Sequence, residues 1–120
     1  MQVDTDFRNV TPKTVVVTIE GYIQTKEARQ LQRTLKEIDE RQAKRVVFDL
    51  SSVAYASSAA LGLFVTYSNR KKEEEGTNAV AIVGLSRNIM NVLRTLGLLP
   101  LFLLCETVDE ALKELGVPAS

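Results

Sequence analysis

The chain has no histidine, no tryptophan and a single cysteine among its 120 residues. Without histidine it cannot form a Ser-His-Asp triad or a histidine phosphocarrier, and with one cysteine it cannot assemble an ordinary zinc site. The lone Cys105 also excludes an internal disulfide, which suits a reducing cytoplasm. Cys105 ends the apolar run of residues 101–105, so we expect a buried structural thiol.

The sequence motifs of common enzymes are missing as well. No Gly-x-x-x-x-Gly-Lys-Ser/Thr loop can cradle a nucleotide phosphate, and no Gly-x-Gly-x-x-Gly follows a predicted strand. A receiver domain needs a cluster of carboxylates at its strand ends, whereas Asp49 stands alone near the end of its strand. We therefore expect a protein that is not an enzyme and that holds neither a metal nor a cofactor.

Neither sign of charge is in surplus, because fifteen basic and fifteen acidic residues cancel. Nucleic acids and anionic membranes attract basic surfaces, so this balance gives no electrostatic reason to bind either. The first residues lack the basic stretch and apolar core of a signal peptide. The uncharged run of residues 50–69 carries five serines, a threonine and an asparagine, which argues against a membrane span. We expect a cytoplasmic protein without direct membrane insertion.

What the sequence does contain is an alternation of apolar strands and amphipathic helices. Two strand patterns come first, and helices and strands then alternate, which favours a mostly parallel sheet with an antiparallel pair at its start. The predicted strands cover residues 2–8, 14–23, 46–50, 79–83 and 101–104. The four predicted helices begin at the caps Thr25, Ser58, Ser86 and Thr107. The prediction is one α/β domain over residues 1–120, with about five strands and four helices.

The helix predicted for residues 59–75 is the most informative element. The side that we expect to pack on the sheet consists of Leu61, Phe64, Val65 and Ser68. The opposite side is uncharged as well, and it consists of Ala59, Leu63, Thr66 and Tyr67. Two interpretations remain open: a neighbouring helix of the same domain covers this second side, or it binds a partner protein.

Ser58 stands at the start of this helix. A helix N-terminus favours an anion by about 0.3 to 1 kcal/mol, and a phosphate on Ser58 would add about −1.5 to −2 charges at the edge of the uncharged side. A partner docking there would have to desolvate that phosphate. A penalty of roughly 3 kcal/mol lowers affinity by about a hundredfold, which is enough for a switch. A plain helix cap at Ser58 is the alternative interpretation.

At these residues the chain resembles the STAS family of anti-sigma factor antagonists, over about residues 15–115. The resemblance rests on Asp49-Leu50-Ser51-Ser52-Val53, followed by Ser57-Ser58-Ala59-Ala60-Leu61-Gly62. Supporting matches are Gly21-Tyr22-Ile23-Gln24, Val83-Gly84 with Ser86, and Leu96-Gly97-Leu98 before the last strand.

The resemblance implies the STAS fold and binding to an anti-sigma factor that is a serine kinase. In this family the kinase phosphorylates the serine at the position of Ser58, and a PP2C-type phosphatase removes the phosphate. Ser57 is the second choice for the modified residue. Together with the uncharged helix, the resemblance predicts a partner-binding surface made of Gln24, Ser57, Ser58, Ala59, Ala60, Gly62, Leu63, Thr66 and Tyr67.

Three positions depart from the family pattern. Ser57 and Gln24 replace aspartates, and Ala60 replaces a glycine, so two carboxylates near the phosphorylation site are missing. An alternative function is therefore a STAS scaffold that is not phosphorylated, or the cytosolic subunit of a membrane transporter. A small enzyme or nucleotide binder is a third and weaker hypothesis. The residues do not indicate the oligomeric state.

Overall fold

The strands form one sheet in the order β1-β2-β3-β4-β5 in a computed structural model, which describes residues 1–118. The strands are β1 (Gln2–Arg8), β2 (Thr14–Ile23), β3 (Arg45–Ala56), β4 (Val80–Val83) and β5 (Leu103–Cys105). The α-helices are α1 (Ala28–Glu40), α2 (Ser58–Glu75), α3 (Arg87–Thr95) and α4 (Val108–Glu114). Strand β1 pairs antiparallel with β2, and all other pairs are parallel, which confirms the predicted fold class.

Helices lie on both faces of the sheet because strand side chains alternate between them. Val15 and Val17 of β2 belong to a hydrophobic cluster with residues of α1, α2 and α3. Val16 between them belongs to a second cluster with Ala111 and other residues of α4. Three helices therefore cover one face, and α4 covers the other. Cys105 is buried in this second cluster, as expected, and burial raises the pKa of its thiol.

Strand β3 is longer than predicted, since it continues from the expected end at residue 50 to Ala56. The added part pairs with the end of β2, and two register shifts accommodate it on either side of Glu20 and Gly21. Gly21 has a φ of +102°, which a side chain would disfavour. Exposed Ser51 and Ser52 look like loop residues locally, but the pairing with β2 makes them part of a strand.

The start of the first helix also differs from the prediction. A 3-10 turn (Thr25–Glu27) precedes α1. The cap residue of this turn is Gln24 and not Thr25. The backbone N–H of Gln24 donates to Oε1 of Glu27 at 3.2 Å. The glutamate thus supplies an acceptor for an N–H group that has no carbonyl partner within the helix. At its other end α1 stops at Glu40.

The last helix begins where it was predicted, and the last strand begins two residues later than predicted. Thr107 caps α4 as predicted, with its hydroxyl accepting from the N–H of Glu110 at 3.1 Å. The carboxylate of Glu110 accepts from the backbone N–H of Glu106 at 3.2 Å and not from that of Thr107, so the cap is not reciprocal. Strand β5 begins at Leu103 instead of residue 101, because Pro100 lies in a 3-10 turn (Leu99–Leu101) that occupies the expected start. No helix of the described residues is long and apolar enough to cross a membrane.

Candidate functional site

The candidate site lies where β2 and β3 end side by side. Both strands are parallel, so the segments that follow them emerge at the same edge of the sheet. The backbone N–H of Ser57 donates to the carbonyl of Ile23 at 2.8 Å. Gln24 and Ser58, each one residue further along, are therefore brought to the same place, although they are far apart in the sequence.

Ser57, not Ser58, is the cap of α2, which corrects the predicted helix start. Its hydroxyl accepts from the N–H of Ala60 at 3.2 Å, and its backbone is extended (φ −69°, ψ 161°). Ser57 is only 6% exposed, whereas Ser58 is the first helical residue and is exposed. The Ser57 hydroxyl is thus engaged inside the fold, and the Ser58 side chain is open to solvent.

The two serines should respond differently to replacement by alanine. We expect Ser57→Ala to lower the free energy of unfolding by about 1 kcal/mol, because the amide of Ala60 loses its acceptor. Ser58→Ala should change it by less than about 0.5 kcal/mol, since no described contact is lost. Urea unfolding followed by circular dichroism measures both variants. Equal effects would contradict the assignment of Ser57 as the cap.

The exposed side of α2 is narrower than the sequence predicted. We define the docking face as Ser58, Ala59, Gly62, Leu63 and Thr66, of which Leu63 is partly buried and the others are exposed. These residues recur at helical spacing and none is charged. Ala60 is fully buried, Tyr67 is 3% exposed and Ser57 is 6% exposed, so these three predicted partner-binding residues lie inside the fold and not on its surface. Val65, which was expected to face the sheet, is only half-buried.

Tyr67 is buried because α1 packs beside α2. Its ring lies edge-on to Phe48 with centroids 6.1 Å apart, and its hydroxyl donates to Oδ1 of Asp39 on α1 at 3.3 Å. Burial, and then the charge of Asp39, raises the pKa of the Tyr67 phenol. The first of the two open interpretations, cover by a neighbouring helix, is therefore confirmed for one part of the helix, and partner binding at the rest stays a prediction. A neighbouring helix covers the Tyr67 end, and the docking face stays uncovered.

Two exposed tyrosines at the same edge were not predicted as site residues. Tyr22 is 58% exposed and Tyr55 is 51% exposed, and they are cross-strand partners at the ends of β2 and β3. Their neighbours Ile23 and Ala56 are buried, so strand alternation turns the tyrosines outward. Strand alternation in the sequence could indicate an outward side chain only for Tyr22, because β3 was predicted to end before residue 55.

The docking face carries two exposed hydroxyl groups, those of Ser58 and Thr66, and no charged side chain. No group of three or more potential metal ligands occurs among residues 1–118. The carboxylate of Asp49, in the first half of β3, is held locally, since its Oδ1 accepts from the hydroxyl of Ser51 at 2.6 Å and from the Ser51 backbone N–H at 3.1 Å. The Ser58 hydroxyl borders a face that a second protein can cover without desolvating a charge.

Comparison with known proteins adds a family and a set of related folds. The STAS domain family model matches residues 8–111. An anti-sigma factor antagonist from Mycobacterium paratuberculosis is 22% identical, with 96% of this chain and 95% of that chain covered and a TM-score of 0.74. The phosphorylated form of the Bacillus cell fate determinant SpoIIAA is 19% identical, with 92% and 98% covered and a TM-score of 0.65.

A third similar structure is a sulfate transporter family protein from Wolinella succinogenes. It is 18% identical, with 86% of this chain and 84% of that chain covered and a TM-score of 0.68. The search of curated proteins found no significant match. At these identities the structural likeness establishes the fold, and the functions of the similar proteins remain their own.

Proposed function

The chain belongs to the STAS domain family, and on this premise we propose that it is a cytoplasmic bacterial anti-sigma factor antagonist that works by binding and not by catalysis. Its partner is an anti-sigma factor with serine kinase activity, which docks on the docking face of α2. Phosphorylation of Ser58 releases the partner, and a PP2C-type phosphatase restores binding. The observation that carries this proposal is the exposed Ser58 at the start of an uncharged, uncovered helix face.

The neutrality of the docking face favours a switch of this kind. A partner that covers Ala59, Gly62 and Thr66 removes no charge of this chain from water. The unmodified complex therefore has no cost for desolvating a charge on the docking face. A phosphate on Ser58 adds about −1.5 to −2 charges at the border of this surface. The unmodified and modified forms then differ mainly in what the partner has to desolvate. This difference decides binding without any change of fold.

The departures from the family pattern are compatible with this role. Ser57 stands where the family has an aspartate, and it caps α2 as an aspartate would, since both are preferred cap residues. Ala60 stands where the family has a glycine, and its methyl group lies in the core, away from a partner. Gln24 replaces an acid beside the site, so less negative charge opposes a phosphate on Ser58.

Gly62 is a further reason to expect close contact with a partner. It lies in the interior of α2, where glycine is less favourable than alanine by about 0.5 to 1 kcal/mol, and nothing lies within 4 Å of the position that a Cβ would occupy. The fold itself therefore does not require glycine at this position. A partner backbone that approaches the helix closely would require it.

We expect Gly62→Ala to raise the free energy of unfolding by about 0.5 to 1 kcal/mol and to weaken the binding of the anti-sigma factor. Urea unfolding and isothermal titration calorimetry measure the two effects. Ala54→Gly, at an exposed position of β3 outside the docking face, is the control for a change of one methyl group. Unchanged binding by the more stable Gly62→Ala protein would argue against contact at this position.

Phosphate-affinity gels test the modification directly. The chain is incubated with its purified anti-sigma factor kinase and ATP, and a shifted band is expected for the unmodified sequence and for Ser57→Ala. Ser58→Ala should show no shift. The phosphorylation switch is wrong if no shift appears and Ser58→Ala signals normally in cells.

A second candidate function is a STAS scaffold or a cytosolic subunit of a membrane transporter. It is favoured by the similarity to the sulfate transporter family protein. Pull-down from cells distinguishes the two, because this candidate predicts recovery of transporter proteins instead of an anti-sigma factor.

A further inference from the structure

A shallow apolar groove runs between α1 and α2, next to the docking face. It has a volume of about 270 Å³, and Leu63 and Thr66 of the docking face line one wall. Leu35 of α1 lies in the opposite wall, with Gln32 and Lys36 beside it. Leu63 is five residues from Ser58, or about 7.5 Å along the helix axis, so the groove continues the proposed interface.

The charged groups of the groove are not balanced. Asp39 and Arg70 also line it, but they pair with each other through Oδ2 and Nη2 at 2.7 Å. Lys36 makes no ion pair with any residue of 1–118. The groove therefore presents beside its apolar wall one positive charge that forms no ion pair.

Lys36 belongs to a larger set of cations, which we call the cationic ridge. Its members are exposed, lie three or four residues apart on one side of α1 and the turn before it, and are Lys26, Arg29, Arg33 and Lys36. None of them forms an ion pair within the described part of the chain. The carboxylate of Glu27 is used in the turn. Glu37 and Glu40 lie four residues after Arg33 and Lys36 on α1, but neither forms an ion pair with the ridge.

We propose that the groove receives an acidic segment of the partner kinase, with apolar side chains between Leu35 and Leu63 and carboxylates facing Arg29, Arg33 and Lys36. This inference rests on the proposed function and adds the chemistry of the partner. Charge complementarity selects the occupant, because a basic segment would be repelled by the ridge and a neutral one would leave it unpaired. The chain thus combines an apolar contact that holds the partner with a charged border that attracts it.

Exposed charges at the border of an interface act mainly on the association rate and on its dependence on salt. The ridge should speed the approach of an acidic partner at low ionic strength, and added salt should remove the gain as the screening length falls to about 8 Å at 0.15 M. Apolar contacts inside the groove should respond little to salt. The two contributions can therefore be separated.

The test compares two double variants that change the net charge equally. Arg33→Glu with Lys36→Glu reverses two charges of the ridge. Arg94→Glu with Lys113→Glu reverses two exposed cations on α3 and α4, neither of which lines the groove. Stopped-flow association with the purified anti-sigma factor kinase is measured between 20 mM and 500 mM salt, the range being about that over which screening develops. The ridge variant should associate roughly tenfold more slowly at low salt and lose most of the salt dependence. The control variant should resemble the unmodified chain.

Each other outcome overturns the inference in a recognisable way. If the kinase binds and both double variants behave alike, the groove chemistry is wrong and the proposed function stands. If the kinase does not bind the unmodified chain at all, both fail. If the chain alone self-associates at low salt in sedimentation and the ridge variant does not, the occupant is a second copy of the chain and not the kinase. Urea unfolding of each variant checks that it remains folded.

Discussion

We expect phosphorylation of Ser58 to weaken binding of the anti-sigma factor by about a hundredfold, equivalent to roughly 3 kcal/mol. The physical reason is desolvation, because the partner covers Ala59 and Gly62 directly beside the modified residue and would have to strip water from a phosphate. Isothermal titration calorimetry with the unmodified and the phosphorylated chain measures the difference.

Three variants are the controls for this prediction. Ser58→Ala should bind like the unmodified chain and should resist inhibition by ATP, because it offers no hydroxyl to the kinase. Ser58→Asp should bind with an intermediate affinity, since it carries one charge where a phosphate carries about two. Ser57→Ala should still be inhibited by ATP, because the hydroxyl that it removes is buried and engaged in the helix cap and is not the target of the kinase. Equal affinity of the phosphorylated and unmodified chains would contradict the switch.

We expect Gly84→Ala to lower the free energy of unfolding by roughly 3 to 5 kcal/mol, the largest stability effect among our predictions. Gly84 follows β4 with a φ of +72°, and a Cβ there would lie 2.6 Å from Cβ and 2.9 Å from Cα of Ser51. Relief of this contact would require a shift of the β3 backbone. That backbone is held by the bonds of Ser51 to Asp49.

Gly116→Ala is a matched control for this substitution. Gly116 has the same φ of +72°, but nothing lies within 4 Å of the position of its Cβ. The control therefore includes the left-handed backbone without the contact, and we expect a loss of only about 1 to 2 kcal/mol. Urea unfolding of both variants isolates the contact with Ser51. Similar losses would show that backbone conformation alone determines the effect.

Local patterns predicted much of the fold because several elements are determined by neighbouring residues. The first two strands have the predicted bounds, since β-branched runs and the turn between them are local signals. Strand β3 was predicted too short because its last six residues are held by pairing with β2, about thirty residues earlier in the chain. Such pairing overrides the loop-like composition of Ser51 and Ser52, and no local pattern reports it.

The start of α2 was predicted to within one residue. Ser57 and Ser58 are equally good caps by residue type, and the bond from Ser57 to Ile23 of another strand decides between them. Tyr67 was placed on the uncovered side of α2 because the packing of α1 beside it is not visible in the helix pattern. Ala60 was predicted as a partner contact from the family motif, and it is buried in the core. The overall neutrality of the chain likewise concealed the cationic ridge, because its charges are balanced by acids elsewhere, such as Asp109 and Glu110 on α4.

The central claim is that the uncharged face of α2 beginning at Ser58 is where the anti-sigma factor binds. The most direct test is an amide NMR titration of the isotope-labelled chain with the unlabelled kinase. We predict that the largest signal changes cluster at residues 58–66, together with Gln24, and that phosphorylation of Ser58 abolishes them. Signal changes confined to α4, on the opposite face of the sheet, and to the edge strand β5, with α2 unaffected, would contradict the claim.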